Sequence, residues 1–182
     1  MSFVINRPES RKSKSVPAIG FLTVTEDGSD GIFGGYLSLN LAGRPLEFHC
    51  TAPIRPNRAQ EILYGPTLRP FLYGEQIGQT LLEAAKVEPL VVCTDSAEVM
   101  AVAELTDTPV VLVAEELPTE KMLGEAFVLG MNRIVLAKSR EQHRALVEER
   151  IGQVAETFDL SEPFVRIREA IDEARSAGRK VA

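Results

Sequence analysis

Leu90-Val91-Val92-Cys93-Thr94-Asp95-Ser96, together with the later run Pro109-Val110-Val111-Leu112-Val113, is the stretch whose reading decides the fold. Both runs are short and almost wholly apolar, as strands are when each face of their sheet is covered. Between them, Ser96 to Leu105 reads as a helix, with Thr94, Asp95 or Ser96 supplying the N-cap. Two strands joined through a helix need a crossover, so they lie parallel.

Upstream stand three strand-like runs. Ala18 to Val24 ends in the turn chemistry of Asp27-Gly28. Gly31 to Leu39 follows, and its Gly34-Gly35 marks a bulge or a close backbone approach. After Ala42-Gly43-Arg44-Pro45, residues 46 to 51 alternate. Leu46, Phe48 and Cys50 take one side, and Glu47, His49 and Thr51 take the other, read as the outer face with His49 at the surface. Short turns join the three runs, so they form an antiparallel meander. The period changes after Pro53. Asn57 to Tyr64 reads as a short helix broken by Gly65-Pro66, and a second helical run to about Lys86 presents Ile77, Leu81, Ala84 and Ala85 on one face.

Downstream, Phe127 to Ala137 reads as a strand or hairpin around Gly130-Met131-Asn132. Ser139-Arg140-Glu141-Gln142 has the form of a capping box, opening a helix with Val147, Ile151, Val154 and Phe158 as its stripe. Ser161 caps a last helix with Pro163 in its first turn, Phe164, Ile167, Ile171 and Ala174 on its face, and Gly178 as a C′ residue. The expectation is an α/β fold with a mixed sheet: three antiparallel strands lead into a parallel βαβ unit, and helices finish the chain.

The 182 residues suffice for one domain, expected over 17–182 with a helical part at 138–178. Residues 1–16 carry Arg7, Arg11, Lys12 and Lys14 against Glu9, a net +3, and read as a flexible basic tail. The net charge of −6 therefore leaves −9 on the remainder. An acidic body lacks the broad positive field of a nucleic-acid binder. Two cysteines, Cys50 and Cys93, read as buried thiols of a reducing compartment. The chain shows neither a signal-peptide pattern at Met1-Ser2-Phe3-Val4 nor an apolar run near the roughly 20 residues of a membrane span, so a cytoplasmic location is expected.

Three ordered motifs suggest a family. Asp27-Gly28-Ser29 follows the first strand and precedes Gly34-Gly35-Tyr36 in the second; Asn57-Arg58 opens the first helix with an acid close behind; Thr94-Asp95-Ser96 ends the fourth strand. In these motifs and in strand order, residues 18–115 resemble the ribonuclease H-like family. The resemblance implies a divalent-metal-dependent phosphodiesterase acting on nucleic acid, with Asp27, Glu61 and Asp95 as catalytic ligands of Mg²⁺ or Mn²⁺. Such chemistry needs carboxylates converging from several elements, so that two ions about 4 Å apart stabilise the attacking and leaving oxygens. The sequence departs from the family at Gln60, which stands where the family has its helix acid; Glu61 is displaced by one residue, a turn of about 100°. Glu115, Glu116 and Asp159 are the candidates for a last acid.

Each acid also has an ordinary reading. Asp-Gly is a common hairpin signal, Thr-Asp-Ser is N-cap chemistry, and Glu61 on a short helix is a solvated residue. A non-catalytic domain that binds a protein partner is thus the alternative function. Arg55, Arg58 and Arg69, with Tyr64, Phe71 and Tyr73, could contact nucleic acid or simply pack. Cys93 lacks a paired base, and strand alternation separates His49 from Cys50, which disfavours a shared metal site.

Overall fold

Period-two runs and short turns build one mixed sheet in the computed structural model, which describes residues 2–4, 16–28, 30–115 and 124–179. Its strands are β1 (Ser2–Val4), β2 (Ala18–Asp27), β3 (Gly31–Asn40), β4 (Pro45–Cys50), β5 (Val91–Thr94), β6 (Val110–Ala114), β7 (Ala126–Leu129) and β8 (Asn132–Leu136). They lie in the order β1-β4-β3-β2-β5-β6-β8-β7. The β2–β3–β4 meander is antiparallel, β5 pairs parallel with both β2 and β6, and the β7–β8 hairpin closes the far edge antiparallel to β6. This is the α/β class and strand order expected from the sequence. The basic lead contributes β1, set antiparallel against β4; residues 5–15 lie outside the described residues.

Helices cover both faces. On one, α4 (Arg144–Ala155) and α5 (Glu162–Arg179) bury Ile151, Phe164, Ile167 and Ile171 against Phe21 and Val111. On the other, Leu72, Ile77 and Val102 pack onto Leu22, Tyr36 and Val92. β3 runs between these layers, which explains Gly34-Gly35. A Cβ at Gly34 would land within Ile77, and one at Gly35 within Ile167, from opposite faces. The pair is a close approach; the bulge falls later, between Ser38 and Leu39.

Several local expectations are corrected. Gly65-Pro66 breaks the helix as expected, with Gly65 at φ 51°, but the run that follows is not one α-helix. After α1 (Arg58–Tyr64) come a 3₁₀ turn, α2 (Leu68–Pro70), a π-helix at Phe71–Gly78, and α3 (Gln79–Ala84). The π-helix sets Gly74 against the Ala101 methyl, where a side chain would not fit. The crossover between β5 and β6 is a 3₁₀ helix, Glu98–Leu105, with Ala97 at its N-cap position. The capping box at Ser139 does not form: Lys138–His143 is 3₁₀, and the Ser139 hydroxyl donates to Glu104 instead.

His49 and Glu47 are not at the surface. They are 3% and 2% exposed, because α3 and the loop after it cover the face of β4 read as outer. The Glu47 carboxylate accepts the amides of Lys86 and Val87 at 3.0 and 2.9 Å and lies 3.0 Å from His49 Nε2. A buried carboxylate is tolerable when so satisfied.

Asn132 joins the β7–β8 hairpin to the end of α4 and the loop that leads into α5. Its amide donates to the carbonyls of Ala155 and Phe158, and its oxygen accepts from the Leu160 amide. Gly130, at φ 59°, sits against the Ala155 carbonyl with no room for a Cβ.

Gly35→Ala is expected to lower the unfolding free energy by about 1–3 kcal/mol through overpacking against Ile167. Gly28→Ala, at a glycine with open space around it, serves as the control and should change little in the same urea titration.

Candidate functional site

The acidic edge is set by strand alternation. On β2, Leu22, Val24 and Glu26 face the layer of α1 to α3, while Phe21, Thr23 and Asp27 face α5. On β5, Cys93 belongs to the α5 side, and Asp95 follows it in the same phase. Asp27 and Asp95 therefore share a face, as the motif order suggests.

They do not share a site. β2 and β5 pair in register at Leu22 and Thr94, which puts Thr23 beside Asp95. The Thr23 hydroxyl donates to Asp95 Oδ1 at 2.7 Å. Asp27 stands four residues further along β2, about 13 Å at roughly 3.3 Å per residue. A second ruler agrees. Asp95 Oδ2 is paired with Arg168, whereas Asp27 Oδ2 lies 2.6 Å from Arg175 Nη2. These arginines are seven residues apart on α5, about 10 Å of helix. The residue of β2 placed to share an ion with Asp95 is thus a threonine.

Glu61 lies elsewhere. α1 belongs to the helical layer across the sheet from α5, where Tyr64 stacks on Phe71 with ring centroids 4.3 Å apart. There Glu61 pairs with Arg58 of its own helix at 2.9 Å. Gln60 is spent on the helix start. Its side chain accepts from the Asn57 amide at 3.0 Å, and the Asn57 side chain accepts from the Gln60 amide at 2.9 Å. Asn-Arg here marks a capping box, which contributes about 1 kcal/mol.

Around Arg175 three aspartates gather: Asp27 and Asp30, each at 2.6 Å, and Asp172 at 3.3 Å. The guanidinium also lies 4.6 Å over the Phe33 ring. Hydrogen bonds from Arg175 to Asp27 and Asp30 raise its pKa beyond the usual arginine range. Arg168, Asp172 and Arg175 follow i, i+4, i+7 spacing, so one charged stripe of α5 meets the acidic edge. The sequence carried that signal beside the apolar stripe of the same helix, and it points to Arg168 and Arg175 as partners of the acids.

The donor set does not fit a two-metal centre. Asp27 and Asp95 are about 10–13 Å apart by the two rulers. Glu61 is on the other layer, and a guanidinium already occupies each aspartate. Among the described residues, no three or more His, Cys, Asp or Glu side chains are grouped to hold a metal ion. Of the candidates for a last acid, Glu115 directly follows β6, Asp159 accepts from Ser161 at 2.9 Å, and Glu116 lies outside the described residues.

A second polar group lies on the opposite face. Glu26 accepts from the Tyr73 hydroxyl and from Arg69 at 3.1 Å, and Arg69 also stands 4.0 Å from Glu98. Burial, then the bond to Glu26, raises the Tyr73 pKa. In the Arg55–Tyr73 segment Tyr73 is buried and Arg55 donates to the Asp30 carbonyl at 3.3 Å, while Arg58 and Arg69 are exposed with an ion pair each to Glu61 and Glu26. Cys93 is fully buried, which pushes its thiol pKa up, while Cys50 is half-buried.

No family profile matches the chain, and no curated protein matches it. Solved structures give loose matches. Two are endonuclease V of Ciona intestinalis in complex with inosine-containing DNA, 18% identical, with TM-scores of 0.40 and 0.39 over 60% of this chain and 50% of that one. Another is human ENDOV, 16% identical, with a TM-score of 0.44 over 89% and 87% of the two chains. The chain spans about half the length of the Ciona intestinalis chains. Similarity at this level says nothing of residues or chemistry. Among the described residues, no helix is long and apolar enough to cross a membrane.

Thr23→Val should cost about 1 kcal/mol of stability by removing the hydrogen bond to Asp95. Arg175→Met should lower the melting temperature in dilute buffer. The deficit should shrink in molar salt, where the screening length falls to about 3 Å.

Proposed function

We propose that this chain is a binding domain of ribonuclease H-like strand order, whose acidic edge holds α5 in place. The observation that carries this reading is the register of β2 on β5, which sets Thr23, and not Asp27, against Asp95. With the acids separated and paired, the edge serves cohesion between sheet and helix. Two-metal phosphodiester hydrolysis needs its carboxylates gathered around ions about 4 Å apart.

A divalent-metal phosphodiesterase is the competing reading. It requires α5 to release Asp95 and Asp27 and the strand ends to close on one another. The two readings differ in linkage, since a ligand bound only by the folded state raises its stability. On the binding-domain reading, millimolar Mg²⁺ or Mn²⁺ shifts the melting temperature no more than the same ionic strength of Na⁺. Asp95→Asn lowers it equally with and without the ions, and single strand, duplex and hybrid all stay intact. A metal-specific gain that Asp95→Asn abolishes, or cleavage of any of these substrates, would establish the phosphodiesterase instead.

A further inference from the structure

Beyond the carboxyl ends of β5 and β6 lies an open trough, in the position where open α/β sheets hold their ligands. One hollow of about 550 Å³ is floored by Leu112, Val113 and Ala114 and walled by Phe164, Val165 and Arg168 of α5. A second of about 390 Å³ continues toward the hairpin tip, lined by Val128, Met131 and Arg133. The hollows share Val113, Ala114, Glu115 and Ser161, so they adjoin one another.

The rim is unusually apolar for a surface. Val128 is 64% exposed, Met131 63% and Val165 52%, all at this trough. Its charge is acidic on balance. Asp95, Glu115 and Asp159 line it against Arg168 and Arg133. Arg168 and Asp95 offset one another, and Arg133, which donates to the neutral Glu115 carbonyl, leaves one positive charge against the carboxylates of Glu115 and Asp159. No ion pair involves the Glu115 carboxylate among the described residues. A polyanion would thus meet two carboxylates against the one arginine charge that no carboxylate offsets. A cationic ligand would meet available negative charge within an acidic body.

We propose that this trough docks an extended peptide segment of a partner protein, one that alternates apolar side chains with lysine or arginine. The inference rests on the binding-domain reading and names its partner. Apolar side chains enter the two hollows past Val128, Met131 and Val165, and the basic ones face Glu115 and Asp159. Charge complementarity sets the class of partner, while the exposed apolar rim provides the area to bury.

The test is fluorescence polarisation on the full chain with labelled ten-residue probes. One alternates leucine with lysine and arginine, one alternates leucine with glutamate, and a ten-nucleotide single strand is the third. The basic probe should bind, and salt should weaken it. Met131→Lys with Val165→Lys, and separately Glu115→Lys, should each weaken it at least tenfold. Leu63→Ser, at an exposed leucine on α1, should leave it unchanged. The melting temperatures of these surface variants verify folding.

Several results would overturn the proposal. The acidic probe or the DNA strand could bind as well as the basic peptide, or Leu63→Ser could weaken binding as the trough variants do. Other contrary outcomes are no binding at millimolar probe, and binding only after residues 116–123 are exchanged for a Gly-Ser linker, which would make the chain's own segment the occupant. A trough that instead mediates pairing of two copies would show as a concentration-dependent dimer lost with Met131→Lys and Val165→Lys. None of these involves metal, so failure here is separable from failure of the binding-domain reading.

Discussion

The register of β2 against β5 is the constraint on which the rest of the acidic edge depends. Parallel pairing at Leu22 and Thr94 fixes which side chain of β2 neighbours Asp95. A slip of two residues would keep the facing of every side chain and bring Thr25 beside Asp95; a slip of four would bring Asp27 there. Both would strip Phe21 from its place under Phe164, where the rings meet edge to face at 5.8 Å. Burial of an aromatic side chain contributes about 1.5–3 kcal/mol, more than one surface ion pair. The apolar core therefore sets the register, and the acids fall where the core leaves them.

The last helix turns that arrangement into cohesion. Its apolar stripe presses on the sheet so closely that β3 carries glycine at Gly35, and its charged stripe reaches the acids at two levels. Exposed ion pairs are each worth little. Arg175 differs in setting, with three aspartates and an aromatic face around it. The same helix then walls the trough with Phe164, Val165 and Arg168. Docking of α5 and the shape of the candidate binding surface are one structural problem.

The sheet order was legible because period-two runs separated by Gly, Pro and Asp turns leave few ways to join three antiparallel strands to a βαβ unit. The fate of His49 was not. Alternation shows that Glu47 and His49 share a face, but not that α3 and its following loop cover it. The π-helix at Phe71–Gly78 was equally hidden, since the apolar spacing is satisfied by more than one helical pitch. For the site, alternation was enough to place Asp27 and Asp95 at strand ends on one face. How far β2 runs past β5 depends on packing between distant segments, and no local motif encodes it. At Asn57-Arg58 a local cause is at work: capping chemistry alone accounts for Asn57 and Gln60.

α5 holds Asp27 and Asp95 apart, each on its own arginine. Crystals grown with Mn²⁺ and measured at the manganese absorption edge test this directly. The expected anomalous difference map shows no manganese ion on Asp95, with Arg168 and Thr23 still on its carboxylate. A manganese ion bridging Asp95 to another carboxylate of the edge, with Arg168 swung away, would contradict it.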